Sequence, residues 1–129
     1  MTVSLRRLRG LHMPATSRRW CRWLNDPGTT RYLESGGHWT ESRLRAWVGS
    51  HVRQRATRLY AICLDGRFVG TLKLEGVRAD GWANLALMVG EKRAWGRGIG
   101  TAAIRRGCGV AKRRGCVGVW AGLRAANQA

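Results

Sequence analysis

The stretch Trp95-Gly96-Arg97-Gly98-Ile99-Gly100-Thr101 constrains this chain more than any other. An apolar run from Leu85 to Val89 leads into it, and a segment predicted helical over Ala102–Arg113 follows. Alternate glycines between a strand and a helix let the backbone approach a ligand closely, and the unpaired amides of a helix start favour an anion. Beyond Glu91 the sequence has no Asp or Glu, yet it carries Lys92, Arg93, Arg97, Arg105, Arg106, Lys112, Arg113, Arg114 and Arg124. An anion-binding turn set in unopposed positive charge predicts a polyphosphate ligand.

The 129 residues suit one domain, expected to span 1–129, and a hydrophobic content of 44% suffices for a core. The formal charge is +17, from 24 basic and 7 acidic residues. Such a surface attracts polyanions and repels polycations over roughly 8–10 Å. Of the basic residues 21 are Arg and 3 are Lys, so codon bias accounts for the charge as well as a nucleic-acid partner does. No apolar run approaches the roughly 20 residues that cross a bilayer, and Met1–Gly10 lacks the apolar segment of a signal peptide. The expectation is a cytoplasmic protein without a membrane partner. Cys21, Cys63, Cys108 and Cys116 show no metal-ligand spacing and fall in apolar patterns, which predicts reduced core residues and no metal.

Val3–Leu8 reads as a strand and Ala15–Asn25 as a helix with Trp20, Trp23 and Leu24 on one face, stopped by Asp26-Pro27-Gly28. Thr40 is the expected N-cap of a second helix carrying Leu44, Trp47, Val48 and Val52 at helical spacing. Three strands follow, Leu59–Leu64, Arg67–Val77 and Trp82–Val89, separated by turns at Asp65-Gly66 and Asp80-Gly81. After the glycine turn and its helix, Gly115 is the expected C-cap, and Val117 and Val119 open a last strand. The order predicts an α/β fold: an antiparallel central meander, then a strand-helix-strand unit whose strands are parallel with a right-handed crossover.

Two phosphate-binding readings of the turn fail. A Walker A loop needs Lys followed by Ser or Thr after its last glycine, whereas Thr101-Ala102 follows Gly100. A dinucleotide fingerprint at Gly98-x-Gly100-x-x-Ala103 lacks the acidic residue about 20 positions on and comes late in the chain. Alone, Gly-x-Gly-x-Gly is also compatible with a tight turn that binds nothing.

With these elements in place the chain resembles the GNAT superfamily of acyl-CoA-dependent N-acyltransferases. That family's turn is Gln or Arg, two residues, Gly, one residue, then Gly or Ala. Trp95-Gly96-Arg97-Gly98-Ile99-Gly100 fits it with Trp in the first place, and Arg93-x-x-Gly96-x-Gly98 fits in another register. A tryptophan before Gly-x-Gly resembles the ribosomal-protein acetyltransferase branch. So do Leu24-Asn25-Asp26-Pro27 with Arg31-Tyr32-Leu33-Glu34, Gly70-Thr71-Leu72, and Ala121-Gly122-Leu123 through Asn127. The resemblance runs from about Val3 to the last residue. It implies a mixed sheet with flanking helices and a parallel strand pair around the turn. The family continues past Asn127 with another helix and closing strands, so a domain incomplete at its C-terminus is expected, with its last strand open to pairing in a homodimer.

The resemblance implies that acetyl-CoA is the co-substrate and an amine attacks its thioester. Amides from Gly96 to Thr101 would hold the diphosphate, with Arg93 and Arg97 as charge partners and Trp95 and Ile99 within the turn. Met88, Val89 and Gly90 would serve the pantetheine arm and the thioester carbonyl, and Asn127 would contact the arm. Glu34 and Glu75 are the candidate bases, and Arg31 and Tyr32 candidate acceptor contacts; Glu91 reads as a cap or arginine partner. The acceptor amine is expected to be a protein N-terminus or an amino-sugar rather than a polyamine, because a +17 surface repels polycations. Charge alone also fits a basic nucleic-acid-binding module, and the early end also fits an inactive remnant that still binds coenzyme A.

Overall fold

The computed structural model describes residues 1–30 and 38–121. They form a five-stranded sheet in sequential order, β1 (Val3–Leu8), β2 (Arg58–Leu64), β3 (Arg67–Glu75), β4 (Trp82–Val89) and β5 (Gly118–Trp120). β1 to β4 are antiparallel, and β5 runs parallel to β4. Helices α1 (Pro14–Leu24), α2 (Pro27–Thr30) and α3 (Glu41–Val52) precede the meander, and α4 (Ile99–Arg113) makes the crossover. This is the expected α/β architecture.

Local chemistry sets the boundaries. Thr40 caps α3, its hydroxyl accepting from the Arg43 amide at 3.0 Å. Asp65 and Gly66 both take positive φ, 49° and 83°, as a two-residue hairpin requires. At the end of α4, Gly115 is left-handed at φ 86°; its amide bonds Lys112 O and that of Cys116 bonds Ala111 O, which satisfies the last carbonyls.

Several boundaries differ from expectation by one residue, and three differ by more or in kind. Asp26-Pro27 does not only stop α1. The Asp26 carboxylate accepts from the Gly28 amide at 3.0 Å, and with Pro in the first position this starts the single turn α2. β3 ends at Glu75 because Gly76 turns away at φ 74°. α4 begins at Ile99, three residues early, because left-handed Gly98 is its N-cap at φ 75°.

The sheet has an apolar cluster on each face. One joins Ile62, Leu72, Leu74 and Leu85 to Ile99, Ala103 and Ala111 of α4. The other joins Trp20 and Trp23 of α1 and Leu44 and Val48 of α3 to Leu59, Ala61 and Met88. At Gly107 α4 lies close on the sheet, since a Cβ there would stand 2.9 Å from a Leu85 methyl. Among the described residues no helix is long and apolar enough to cross a membrane.

Candidate active site

β4 and β5 are paired only over Trp82–Asn84 and Gly118–Trp120. Beyond Asn84, Leu85–Val89 has no partner on that side among the described residues. The direction of its main-chain groups follows from strand alternation. The Gly90 amide bonds Val69 O at 2.9 Å, so even-numbered positions turn toward β3. Odd-numbered Leu85, Leu87 and Val89 therefore present their N–H and C=O groups to that side. Of the expected trio, Val89 faces it, whereas Met88 and Gly90 turn their main chain toward β3. Leu87 is a contributor that the family pattern did not single out; the alternation of the strand carried the signal.

A bulge helps hold this end of β4 in place. The β2–β3 register shifts at Ile62/Cys63, and the carbonyl of the extra residue, Val69, accepts from both Gly90 and Glu91 at 2.9 and 3.1 Å. Neighbouring Gly70 cannot carry a side chain, because its Cβ would overlap the Met88 carbonyl. Gly90 is equally constrained by the Trp23 indole.

This edge leads to the glycine turn. Lys92–Ala94 form one turn of 3-10 helix, then Gly96 and Gly98 each adopt φ 75°. An added Cβ at either would meet nothing within 4 Å. Among the described residues, no protein acceptor takes the amides of Gly96, Arg97, Gly98, Ile99, Gly100 or Thr101. The first bond of the helix is Ala102 N to Gly98 O, at 3.1 Å. The turn therefore offers a row of free donors at the positive end of a 15-residue helix. They border a cleft of about 230 Å3 lined by Val89, Trp95, Gly96, Gly98, Gly100 and Thr101.

Trp95 is 46% exposed, and its indole Nε1 donates to Val89 O at 2.7 Å. It closes the turn back onto the end of β4. Arg93 and Arg97, also exposed, line a different cavity of about 320 Å3 on the other side of the turn, together with Arg19, Arg67 and Glu91. Glu91 caps the 3-10 turn by position only; its side chain makes no capping bond, and no ion pair involves it among the described residues.

On the opposite face, a cavity of about 340 Å3 lies between the sheet and helices α1 and α3. Trp20, Trp39, Trp47, Tyr60, Lys73 and Met88 are among its walls. Trp39 is clamped there by Asn25, whose Nδ2 donates to Trp39 O at 2.7 Å and whose Oδ1 accepts from Trp39 N at 2.8 Å. The Cys21 thiol also donates to Trp39 O, at 3.1 Å. Burial, with Glu41 nearby, raises the Cys21 pKa, which keeps it a neutral donor.

An ion pair joins the helical side to the turn: Lys92 Nζ lies 2.8 Å from Asp26 Oδ2. The hydrogen bond from Lys92, aided by the Gly28 amide, holds the Asp26 carboxyl below the usual carboxylate range. Glu75 is not brought to the cleft. It pairs with Lys73 at 3.1 Å and stands opposite Asn84, five positions along β4 from Val89, roughly 17 Å away at the rise of a strand. His51 packs on Trp47 at 4.0 Å between ring centroids. Arg31, Tyr32, Glu34 and Asn127 lie outside the described residues.

The sequence model of the acetyltransferase (GNAT) domain matches residues 3–129. No curated protein matches the chain in sequence. Among solved structures, an aminoglycoside acetyltransferase in complex with coenzyme A superposes with a TM-score of 0.78 at 16% identity, covering 98% of this chain and 78% of that one. The spermidine N-acetyltransferase of Vibrio cholerae, with coenzyme A and spermine, gives 0.69 at 15% identity over 84% of this chain. This chain spans 63% of that enzyme's length. A ribosomal-protein-alanine N-acetyltransferase from Brucella melitensis gives 0.62 at 14% identity, covering 96% and 82%. At these identities the likeness is one of fold.

Proposed function

Because the chain belongs to the acetyltransferase (GNAT) domain family, we propose that it transfers an acetyl group from acetyl-CoA to a primary amine. The observation that carries this reading is the row of amides from Gly96 to Thr101 that no acceptor takes among the described residues, beside a β4 edge that is likewise unpaired among them. A diphosphate fits the amides and the helix dipole behind them. A pantetheine arm, with two amides of its own, fits the alternating groups of Leu85, Leu87 and Val89 as a short added strand. The thioester, at the end of the arm away from the diphosphate, then meets a main-chain amide farther back along β4, that of Leu87 or Leu85, where negative charge develops as the amine attacks. The amine nitrogen bonds to the carbonyl carbon, the carbon–sulfur bond breaks, and the amine's proton leaves to a base. For that base we favour Glu34 over Glu75, which is held by Lys73.

The acceptor is a protein N-terminus or an amino-sugar in this reading. Structural relatives named for spermidine and aminoglycosides act on polycations, but the +17 charge here disfavours such acceptors. The aromatic cavity at Met88, with Lys73 in its wall, suits an apolar neighbour of the amine better than a second cation. Four free cysteines among the described residues accord with a reducing cytoplasm.

Titration calorimetry of the chain with acetyl-CoA tests the reading. Saturable one-to-one binding is expected, followed by release of free thiol when a peptide amine is supplied. Absence of binding at millimolar ligand rejects it.

A further inference from the structure

The cavity on the far side of the glycine turn is not used by the reading above, yet it gathers four guanidiniums, from Arg19 of α1, Arg67 of β3, and Arg93 and Arg97 of the turn. Among the described residues that line it Glu91 is the one carboxylate, so four positive charges less one negative leave a local excess of three. Only two ion pairs occur among the described residues, Lys73–Glu75 and Lys92–Asp26, and neither involves these arginines. Arg19 is fixed in place by donating to Phe68 O at 3.0 Å. Among the described residues the others pair with no protein anion, an arrangement suited to a phosphate.

The cavity's position narrows the ligand. Ala94 lines both this cavity and the glycine cleft. Arg97 lines the arginine cavity, while its neighbours Gly96 and Gly98 line the cleft. The two sites are thus separated by the width of one backbone. A ligand that fills both carries a diphosphate and a separate phosphate monoester a few bonds away. The ribose of coenzyme A has this pattern, with the diphosphate on its 5′ carbon and a monoester on its 3′ carbon. The monoester carries between one and two negative charges near neutral pH. The cleft amides have no means of sensing it.

We propose that Arg19, Arg67, Arg93 and Arg97 form a phosphate-monoester pocket that takes the 3′-phosphate of coenzyme A, so that the chain discriminates against dephospho-coenzyme A. This rests on the coenzyme reading of the glycine turn. Arg19 and Arg67 are the specificity-determining pair, since they reach the pocket from outside the turn.

The test is calorimetric binding of coenzyme A and of 3′-dephospho-coenzyme A to the full chain. Coenzyme A is expected to bind about tenfold more tightly, the worth of a charge-assisted contact. The Arg19→Ala/Arg67→Ala double variant should bring the two ligands within about twofold by weakening coenzyme A alone. Arg67→Ala, which breaks no protein hydrogen bond among the described residues, should give part of that loss if the double variant folds poorly. Arg45→Ala/Arg53→Ala, which removes the same charge from α3 and its end, should keep the tenfold preference. Equal affinity of both ligands for the unmodified chain overturns this inference and leaves the coenzyme reading standing. Binding of neither overturns both. An equal loss of preference in the α3 control overturns the pocket in favour of a diffuse field.

Discussion

The two faces of β4 are built from different kinds of information. On the α4 side the features lie in one segment: a strand edge unpaired among the described residues, two left-handed glycines and a helix start. On the α1/α3 side, the wall of the aromatic cavity is assembled across the chain. Asn25 holds Trp39, Cys21 supports the same carbonyl, and α3 brings Leu44 and Trp47. The first is local and polar, with donors left free for a ligand. The second is long-range and apolar, with its polar groups mostly spent on holding aromatic rings. A site for a common co-substrate can be written into one short segment, whereas a site for a particular acceptor is shaped by packing between distant segments.

The sharpest way to break this comparison is at Gly98. Glu in its place puts a carboxylate into open space where the diphosphate is expected, at a backbone angle costing about 1–2 kcal/mol for an L-residue. Acetyl-CoA affinity should fall by about a hundredfold or more, read by calorimetry. Gly98→Ala carries the strain without the charge and should lose about tenfold. Equal losses in the two variants would mean the turn binds by shape and that the anion reading is wrong.

Asn25→Ala attacks the other side. It deletes both Asn25 hydrogen bonds to the Trp39 main chain, leaving the amide without that partner and the carbonyl with the Cys21 thiol alone among the described residues. A loss of about 2–3 kcal/mol of stability is expected in urea denaturation. If the two faces are independent, coenzyme affinity of the folded variant stays within about twofold while the KM for the acceptor rises. A parallel fall in coenzyme affinity would show that the faces are coupled through β4.

This contrast also explains what could be read from the sequence. The strand order, the Asp65-Gly66 hairpin, the Thr40 cap and the Gly115 terminus were all legible, because each is set by residues within a few positions of one another. The glycine turn was legible for the same reason. Its detail was not: the start of α4 at Ile99 depends on Gly98 being left-handed, and Arg97 faces away from the cleft that its neighbours line. The bulge at Val69 was invisible, since it arises from a register between β2 and β3. So was the Asn25–Trp39 clamp, which spans 14 positions and matches no short motif. The distance of Glu75 from the turn needed the β3–β4 register, which composition and spacing do not reveal.

Trp95 sharpens the comparison on a smaller scale. Its indole spends one donor to tie the glycine turn to Val89 O, the only side-chain bond of that kind in the turn among the described residues. Trp95→Phe keeps the ring and removes the bond, worth about 1 kcal/mol. Acetyl-CoA binding should weaken by about fivefold, with the loss appearing as faster dissociation in stopped-flow fluorescence. Tighter binding would mean that the indole competes with the ligand for the Val89 carbonyl.

The smallest effect concerns the ion pair that crosses between the two sides among the described residues, Lys92–Asp26. Asp26 is depressed below its ordinary value in the folded chain, chiefly by the Lys92 hydrogen bond. Its contribution to stability is therefore present above the unfolded carboxylate pKa of about 3.9 and is lost as pH falls through the lower folded value. Asn at position 26 keeps an oxygen for the Gly28 amide but has no charge for Lys92. Asp26→Asn should be slightly less stable than the parent at pH 7 in low salt, and the difference should shrink with added salt, because the pair is exposed. Below the folded pKa the two proteins should converge, since protonation does to Asp26 what the substitution does. A gap that persists in strong acid would assign Asp26 to the start of α2 alone. The two sides of the site would then meet only through the packing around β4.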